Sequence, residues 1–205
     1  MTTRLKAKKK ISRKLGVNLW GRDNDSFKKR NYKPGQHGAN LKQRNSDFKI
    51  QLIAKQKLKF YYGNISEKQF RNTFKTASSL KGDVTENFIT ALESRLDTII
   101  YRANFVPTVF AARQFVNHKH VTVNGSIVNI PSYRLKVGDV VQIREKSCDL
   151  TMVLESIQKK ERDVPKYLDV NTDNKSVRLL SAPEFAAVPY PVEMEPHLVT
   201  EFYSR

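Results

Sequence analysis

The positive charge of this 205-residue chain is concentrated at one end. Residues 1–60 hold 18 Lys or Arg against Asp23, Asp25 and Asp47, a net of +15, so residues 61–205 supply only +2 of the total of +17. Self-repulsion opposes compaction of such a stretch, which is expected to order fully only against a polyanion. Phosphate backbone is the usual one. A purely solubilising tail would be low in complexity, yet Leu15, Val17, Leu19, Trp20, Phe27 and Tyr32 are spread through this one. Interleaved aromatics suit packing against bases and sugars. An anionic membrane surface would favour a long amphipathic helix, which Gly16, Gly21, Pro34, Gly35 and Gly38 interrupt.

Composition narrows the class. Hydrophobic residues make up 39%, enough for a core but low for a chain that is compact throughout. No apolar run approaches the ~18 residues of a membrane span, so no membrane partner is expected. The lysines after Met1 are not followed by an apolar segment, so no secretory signal is expected either. Cys148 is the single cysteine, which forbids an internal disulfide and fits a reducing compartment.

Residues 1–44 read as a basic arm with little regular structure beyond a short helix within 5–15. From 46, Ile50, Ile53, Ala54, Lys57, Leu58 and Tyr61 form one helical stripe, with Lys49, Lys55 and Lys59 on the other face. Ser66 and Gln69 make a capping box, with Ile65 and Phe70 as its hydrophobic staple. Asp83 and Glu86 cap a third helix, predicted to run unbroken through Ile89, Leu92, Leu96, Ile99 and Ala103. Pro107 ends it and Thr108 caps a fourth helix. The period then becomes two: Val121 and Val123, an Asn124-Gly125 hairpin turn, Ile127 and Ile130, a turn at Gly138-Asp139, then Val140–Arg144. A helix over 148–160 and short strands near 167–170 and 176–180 complete an α+β fold.

The unit of helix, tight break, helix and hairpin over 93–146 concentrates polar function. It carries eight Lys or Arg against four acids, with Arg95 and Arg102 seven apart and thus on similar sides of the expected helix. Basic helix ends beside a β-loop suit phosphate and 2′-hydroxyl contacts on folded RNA.

The segments Leu92–Asp97, Tyr101-Arg102, Ala112–Gln114, His118–His120, Val123–Gly125, Ile130–Tyr133 and Val137–Asp139 resemble the RNA-binding domain of the bacterial-type ribosomal protein S-four family. Asn18–Gly21, Lys33–Gly38, Lys55–Lys57, Tyr62-Gly63 and Glu201–Arg205 extend the resemblance over essentially the whole chain. It implies a helical domain at 45–91 completed by 181–205, and an inserted RNA-binding domain at 92–180. It also implies direct binding to small-subunit ribosomal RNA at a multi-helix junction early in assembly. Neighbouring small-subunit proteins, and messenger RNA where it enters the subunit, are the further expected partners, with a contribution to decoding accuracy. The expected setting is the ribosome in the cytoplasm, or in a bacterium-derived organelle.

The expected RNA contacts in the arm are Lys8, Lys9, Lys10, Arg13, Lys14, Trp20 and Arg30, then Lys33, Gly35, Gln36, His37 and Gly38, then Lys42 and Arg44. Lys55 and Lys57 follow on the first long helix. The small domain adds Arg95, Arg102, Arg113, Gln114, His118, Lys119, His120, Asn124, Gly125, Tyr133 and Arg134. Many members of the family carry an N-terminal zinc knuckle of cysteines, which a chain with Cys148 alone cannot form. No metal, cofactor or catalytic residue is expected. Arg95-Leu96-Asp97 superficially resembles the segment around the catalytic aspartate of pseudouridine synthases. Asp97, however, falls within a helical stripe, where a structural salt bridge or helix contact is expected, and too little chain follows for a catalytic domain of ~100–150 residues. Reading DNA would leave the basic arm and second hairpin without a role.

Overall fold

The computed structural model describes residues 9–39 and 46–204. They divide into two compact units, one within Met1–Thr76 and Tyr190–Arg205, the other Ala77–Pro189. The sequence reading draws the boundaries at 91/92 and 180/181. The difference arises because helix α5, Val84–Glu93, buries Phe88, Ile89 and Leu92. Within the second unit Thr90 donates to the Pro183 carbonyl at 2.7 Å, and the Phe185 amide donates to Glu86 at 2.9 Å.

The first unit holds α1 (Lys9–Leu15), α2 (Ser26–Lys29), α3 (Asp47–Tyr61), most of α4 (Glu67–Ser78) and α9 (Pro196–Ser204). Ser46 caps α3 and Ser66 accepts from the Gln69 amide at the start of α4. α9 packs on α3, and this turns the buried side of α3 away from the expected stripe. Gln51 and Lys55 are buried, whereas Ile50 is exposed. Tyr203 of α9 stacks on Phe74 of α4 at 5.0 Å.

The described part of the arm is more structured than its charge predicts. Ile11 and Leu19 are buried, and α1 lies against α3. Ser12 donates to the Asp25 carboxylate at 2.8 Å, and the other carboxylate oxygen caps α2 through the Phe27 amide at 2.7 Å. Burying two large aliphatic side chains supplies about 1.5–3 kcal/mol each, which offsets the self-repulsion of neighbouring cations.

The second unit contains α5, α6 (Leu96–Arg102), α7 (Val109–Asn117), α8 (Thr151–Lys159) and a five-stranded antiparallel sheet. Its strands are β1 (Val121–Val123), β2 (Ser126–Ile127), β3 (Val140–Ile143), β4 (Leu168–Asn171) and β5 (Ser176–Leu179), ordered β2-β1-β3-β5-β4. Val121, Val123, Val141, Ile143, Val177 and Leu179 fill the buried face. Ile127 pairs with Thr122 on the open face and is exposed. Asn124 and Gly125 both have positive φ, 48° and 81°, the turn required by a two-residue hairpin.

The helix predicted through residues 89–103 is broken. Ser94 ends α5, and Arg95 is extended at φ −73°, ψ 140° before α6 begins. The cause is a distant loop. Leu96 and Asp97 donate their amides to the carbonyls of Tyr133 (2.9 Å) and Pro131 (3.1 Å), and the Leu135 amide donates to the Ser94 carbonyl at 2.8 Å. Arg95 and Arg134 therefore face each other as an isolated antiparallel bridge, so Arg95 and Arg102 do not share one helix.

Candidate nucleic-acid interface

The arginines of the second unit separate into those that hold the fold and those that face solvent. Arg102 is 1% exposed. Its guanidinium grips the Glu93 carboxylate at 2.7 and 3.1 Å and donates to the Pro189 carbonyl at 3.1 Å. Tyr167 donates its hydroxyl to the same carboxylate at 2.8 Å. Arg95 binds Asp97 through two contacts of 2.7 and 3.0 Å, and Arg113 approaches Asp97 at 3.6 Å. Asp97 is fully buried, with Arg95 and Arg113 at 4% and 6% exposure. Buried charges persist only when paired and hydrogen-bonded. These three arginines, expected in sequence to meet RNA, are therefore internal ties. Asp97 is the structural salt bridge that its helical context suggested.

The exposed cationic edge lies where α7 ends. Thr108 caps α7 through the Ala111 amide at 2.9 Å. The helix buries Val109, Ala112, Phe115 and Val116, which leaves Gln114, His118 and Lys119 in solvent. Lys119 has φ +64° in a position after the helix that normally takes glycine. His120 donates its amide to the Phe115 carbonyl at 3.3 Å, closing the helix end. Arg144, at the end of β3, donates to the Lys119 carbonyl at 3.0 Å. The His120 ring stacks on Phe115 at 4.8 Å and its Nδ1 lies 2.8 Å from the Ser147 hydroxyl. Burial, then His118 and Arg144, push its pKa below that of an ordinary histidine, so it serves as a neutral packing group.

The hairpin positions are also internally committed. Asn124 donates to Asp139 at 2.9 Å and accepts from the Val140 amide at 2.9 Å, while Asp139 accepts from the Lys136 amide at 2.8 Å. The turns at 124–125 and 138–139 are thereby stitched together. Tyr133 and Arg134 remain exposed beside them.

In the first unit, Lys10, Lys14, Arg30, Gln36 and His37 are exposed, and Trp20 is half-buried with its indole N–H 3.4 Å from the Tyr61 carbonyl. Arg13 lies over the Tyr32 ring at 4.9 Å and donates to the carbonyls of Tyr32 and Lys33 at 3.1 and 3.3 Å. It shapes the following turn. Gly38 is required there for internal space, because a Cβ would fall 1.8 Å from the Lys33 carbonyl oxygen. Gly35 has φ +112° and open surroundings. Burial, then the neighbouring Lys49 charge, lowers the pKa of Lys33, a crowding of cations that an anion would relieve.

Two expected lysines are instead structural. Lys55 is buried, 2.9 Å from Glu67 and 4.2 Å over the Phe202 ring. Lys57 lies 3.5 Å from Glu195 and donates to the Glu193 carbonyl at 3.1 Å. Lys8, the Lys9 side chain, Lys42 and Arg44 lie outside the described residues. Sequence reasoning passes over Arg144. Its role depends on where β3 ends against Lys119, which no local pattern announces.

Two family models match the chain: "Ribosomal protein S4/S9 N-terminal domain" over residues 4–93 and "S4 domain" over residues 94–141. The small ribosomal subunit protein uS4 of Caulobacter vibrioides is 58% identical over 204 residues, covering 100% of both chains. That of Brucella abortus is also 58% identical, over 205 residues and 100% of both. With identity at this level running from end to end, the chain belongs to the uS4 family of small-ribosomal-subunit proteins, a structural and non-enzymatic family.

Proposed function

We propose that this chain is a structural constituent of the small ribosomal subunit that binds its ribosomal RNA directly, helps to nucleate assembly at a multi-helix junction, and contributes to decoding accuracy. Neighbouring small-subunit proteins and messenger RNA near its point of entrance are its other partners in this reading. The observation that carries it is the segregation of charge. The most buried carboxylates, Glu93 and Asp97, are consumed by buried arginines, while the arm and the end of α7 keep cations in solvent, among them Lys10, Lys14, Arg30 and Lys119. Such a surface neutralises phosphates and releases counterions. Within each unit the cations are mounted on folded elements, so their spacing there is fixed, and fixed spacing selects a folded RNA shape over a random coil.

The RNA face in this reading comprises Lys10, Lys14, Arg30, Lys33, Gln36 and His37 in the first unit, and Gln114, His118, Lys119, Tyr133 and Arg134 in the second. Arg13, Gly38, His120 and Asn124 hold those groups in place. The test is a filter-binding titration with folded small-subunit ribosomal RNA, competed by a scrambled transcript of equal length. The folded RNA is expected to win by at least tenfold, corresponding to about 1.4 kcal/mol. Equal competition would reduce the protein to an unspecific polycation and refute the proposal.

A further inference from the structure

Asn124-Gly125 is the single Asn-Gly pair in the sequence. Such a pair deamidates more easily than other asparagine contexts, because glycine has no side chain to shield its amide nitrogen from the preceding asparagine. Asn124 and Gly125 are both exposed. Among the described residues, no heavy atom beyond its chain neighbours lies within 4 Å of the place a Cβ on Gly125 would take. Water therefore reaches the turn, and no bulk around it hinders the reaction.

What restrains the reaction is hydrogen bonding from the second turn. Asn124 donates through Nδ2 to Asp139 Oδ1 at 2.9 Å, and its Oδ1 accepts from the Val140 amide at 2.9 Å. The Asn124 amide donates to the Val140 carbonyl at 2.9 Å. Asp139 is itself fixed: its Oδ2 accepts from the Lys136 amide at 2.8 Å, and its carbonyl accepts from the Leu179 amide at 3.2 Å. The Asn124 side-chain amide is thus held at both ends by residues 15 and 16 positions away. Its carbonyl carbon reaches the Gly125 nitrogen only by rotating about the Cα–Cβ bond, which breaks both side-chain bonds.

We propose that Asn124 is a deamidation site, held off in the folded chain by Asp139 and the Val140 amide and released when the two turns part. The Gly125 nitrogen attacks Asn124 Cγ and forms the N–Cγ bond. Its proton passes to Nδ2, the Cγ–Nδ2 bond breaks and ammonia leaves. Water then opens the cyclic imide at either carbonyl, giving aspartate or isoaspartate with no change of oxidation state. Aspartate at this position sets a carboxylate against that of Asp139 in place of a donor, and like charges at hydrogen-bond distance repel. Isoaspartate adds a carbon to the main chain between the paired residues Val123 and Ser126, which spoils the two-residue turn. Neither product closes the stitch again, so the site keeps a lasting record that the hairpin has opened. This chemistry stands whatever the chain binds.

The test incubates the full chain in mildly alkaline buffer, native and in denaturant, and weighs the peptide spanning 124–125 by mass spectrometry. Denatured protein is expected to lose the Asn124 amide roughly ten- to thirtyfold faster, the combined worth of two side-chain hydrogen bonds. Asp139→Ala removes one of them and is expected to speed the native reaction about fivefold. Asp169→Ala, at an exposed acid on β4, is expected to leave the rate unchanged. Asn124→Asp, which installs the product, should lower the melting temperature by roughly 2–10 °C, and adding Asp139→Asn should restore part of the loss. Equal rates in native and denatured wild type would overturn the inference, a comparison that holds even if Asp139→Ala does not fold. Equal rates in folded Asp139→Ala and Asp169→Ala would take the guard away from Asp139 and overturn it too. An Asn124→Asp chain that melts like wild type would show that the product re-forms the turn, which overturns the lasting record.

Discussion

Replacing Arg102 by Met tests whether this arginine holds the fold or touches RNA. Methionine keeps the stem volume but removes the guanidinium. Glu93, fully buried, would lose contacts of 2.7 and 3.1 Å and keep only the Tyr167 hydroxyl at 2.8 Å among those named here. Breaking a buried pair by removing one partner costs about 3–5 kcal/mol, because the remaining charge stays desolvated. For a chain of this size each kcal/mol shifts the melting temperature by roughly 2–4 °C, so a fall of about 6–20 °C is expected. Thermal melting followed by circular dichroism gives the first number. Affinity for folded ribosomal RNA, taken well below either melting temperature, gives the second and should equal that of wild type. Glu93→Gln combined with Arg102→Met should recover part of the loss, since no buried carboxylate is then stranded. An Arg102→Met protein that melts like wild type yet binds RNA poorly would refute the internal-tie assignment.

Lys119→Gly should change stability by between zero and about +1 kcal/mol, since relief of left-handed strain is offset by the freedom glycine adds to the unfolded chain. RNA affinity should nevertheless fall, and undiminished affinity would remove Lys119 from the interface. Glu67 gives a pH signature: burial raises its pKa, but hydrogen bonds from Tyr203, Lys55 and Lys59 outweigh this and hold it at about 2, below the ordinary 4.5. Its contribution is thus present above pH 4.5 and lost as pH falls toward 2. After screening of this half-exposed group, roughly 1–2 kcal/mol should disappear over that window, and Glu67→Gln should abolish the loss in denaturant titrations. Gly38→Ala forces a Cβ to within 1.8 Å of the Lys33 carbonyl oxygen, so the turn must open at about 1–3 kcal/mol. Faster chymotryptic cleavage at Tyr32 would report it, and an unchanged cleavage rate would show that the turn absorbs the methyl group.

Features encoded by neighbours in sequence were legible before the structure. Ser66, Asp83 and Thr108 cap their helices, and Asn124-Gly125 makes the hairpin turn, because each needs only residues within three or four positions. The α+β class follows from the same local periods. What the sequence concealed depends on distant partners. Nothing near Arg95 announces that carbonyls of Pro131 and Tyr133 will break the helix there. The burial of Arg102 depends on Glu93 across that break and on Tyr167, 74 residues from Glu93. A buried arginine and a phosphate-binding one look alike in a sequence, so the candidate residues include both buried ties, such as Arg102, and exposed cations, such as Lys119. The arm shows the converse. Its net charge suggested an open segment, whereas Ile11, Leu19 and the Ser12–Asp25 contact give part of it a fold of its own.

Chemical footprinting of small-subunit ribosomal RNA, with and without the purified protein, addresses the central claim most directly. Protection confined to one junction of several RNA helices, persisting when a large excess of unrelated RNA is added, is the predicted result. Protection spread evenly along the transcript, or lost to the competitor, would contradict a scaffold that recognises RNA by fixed charge on folded elements.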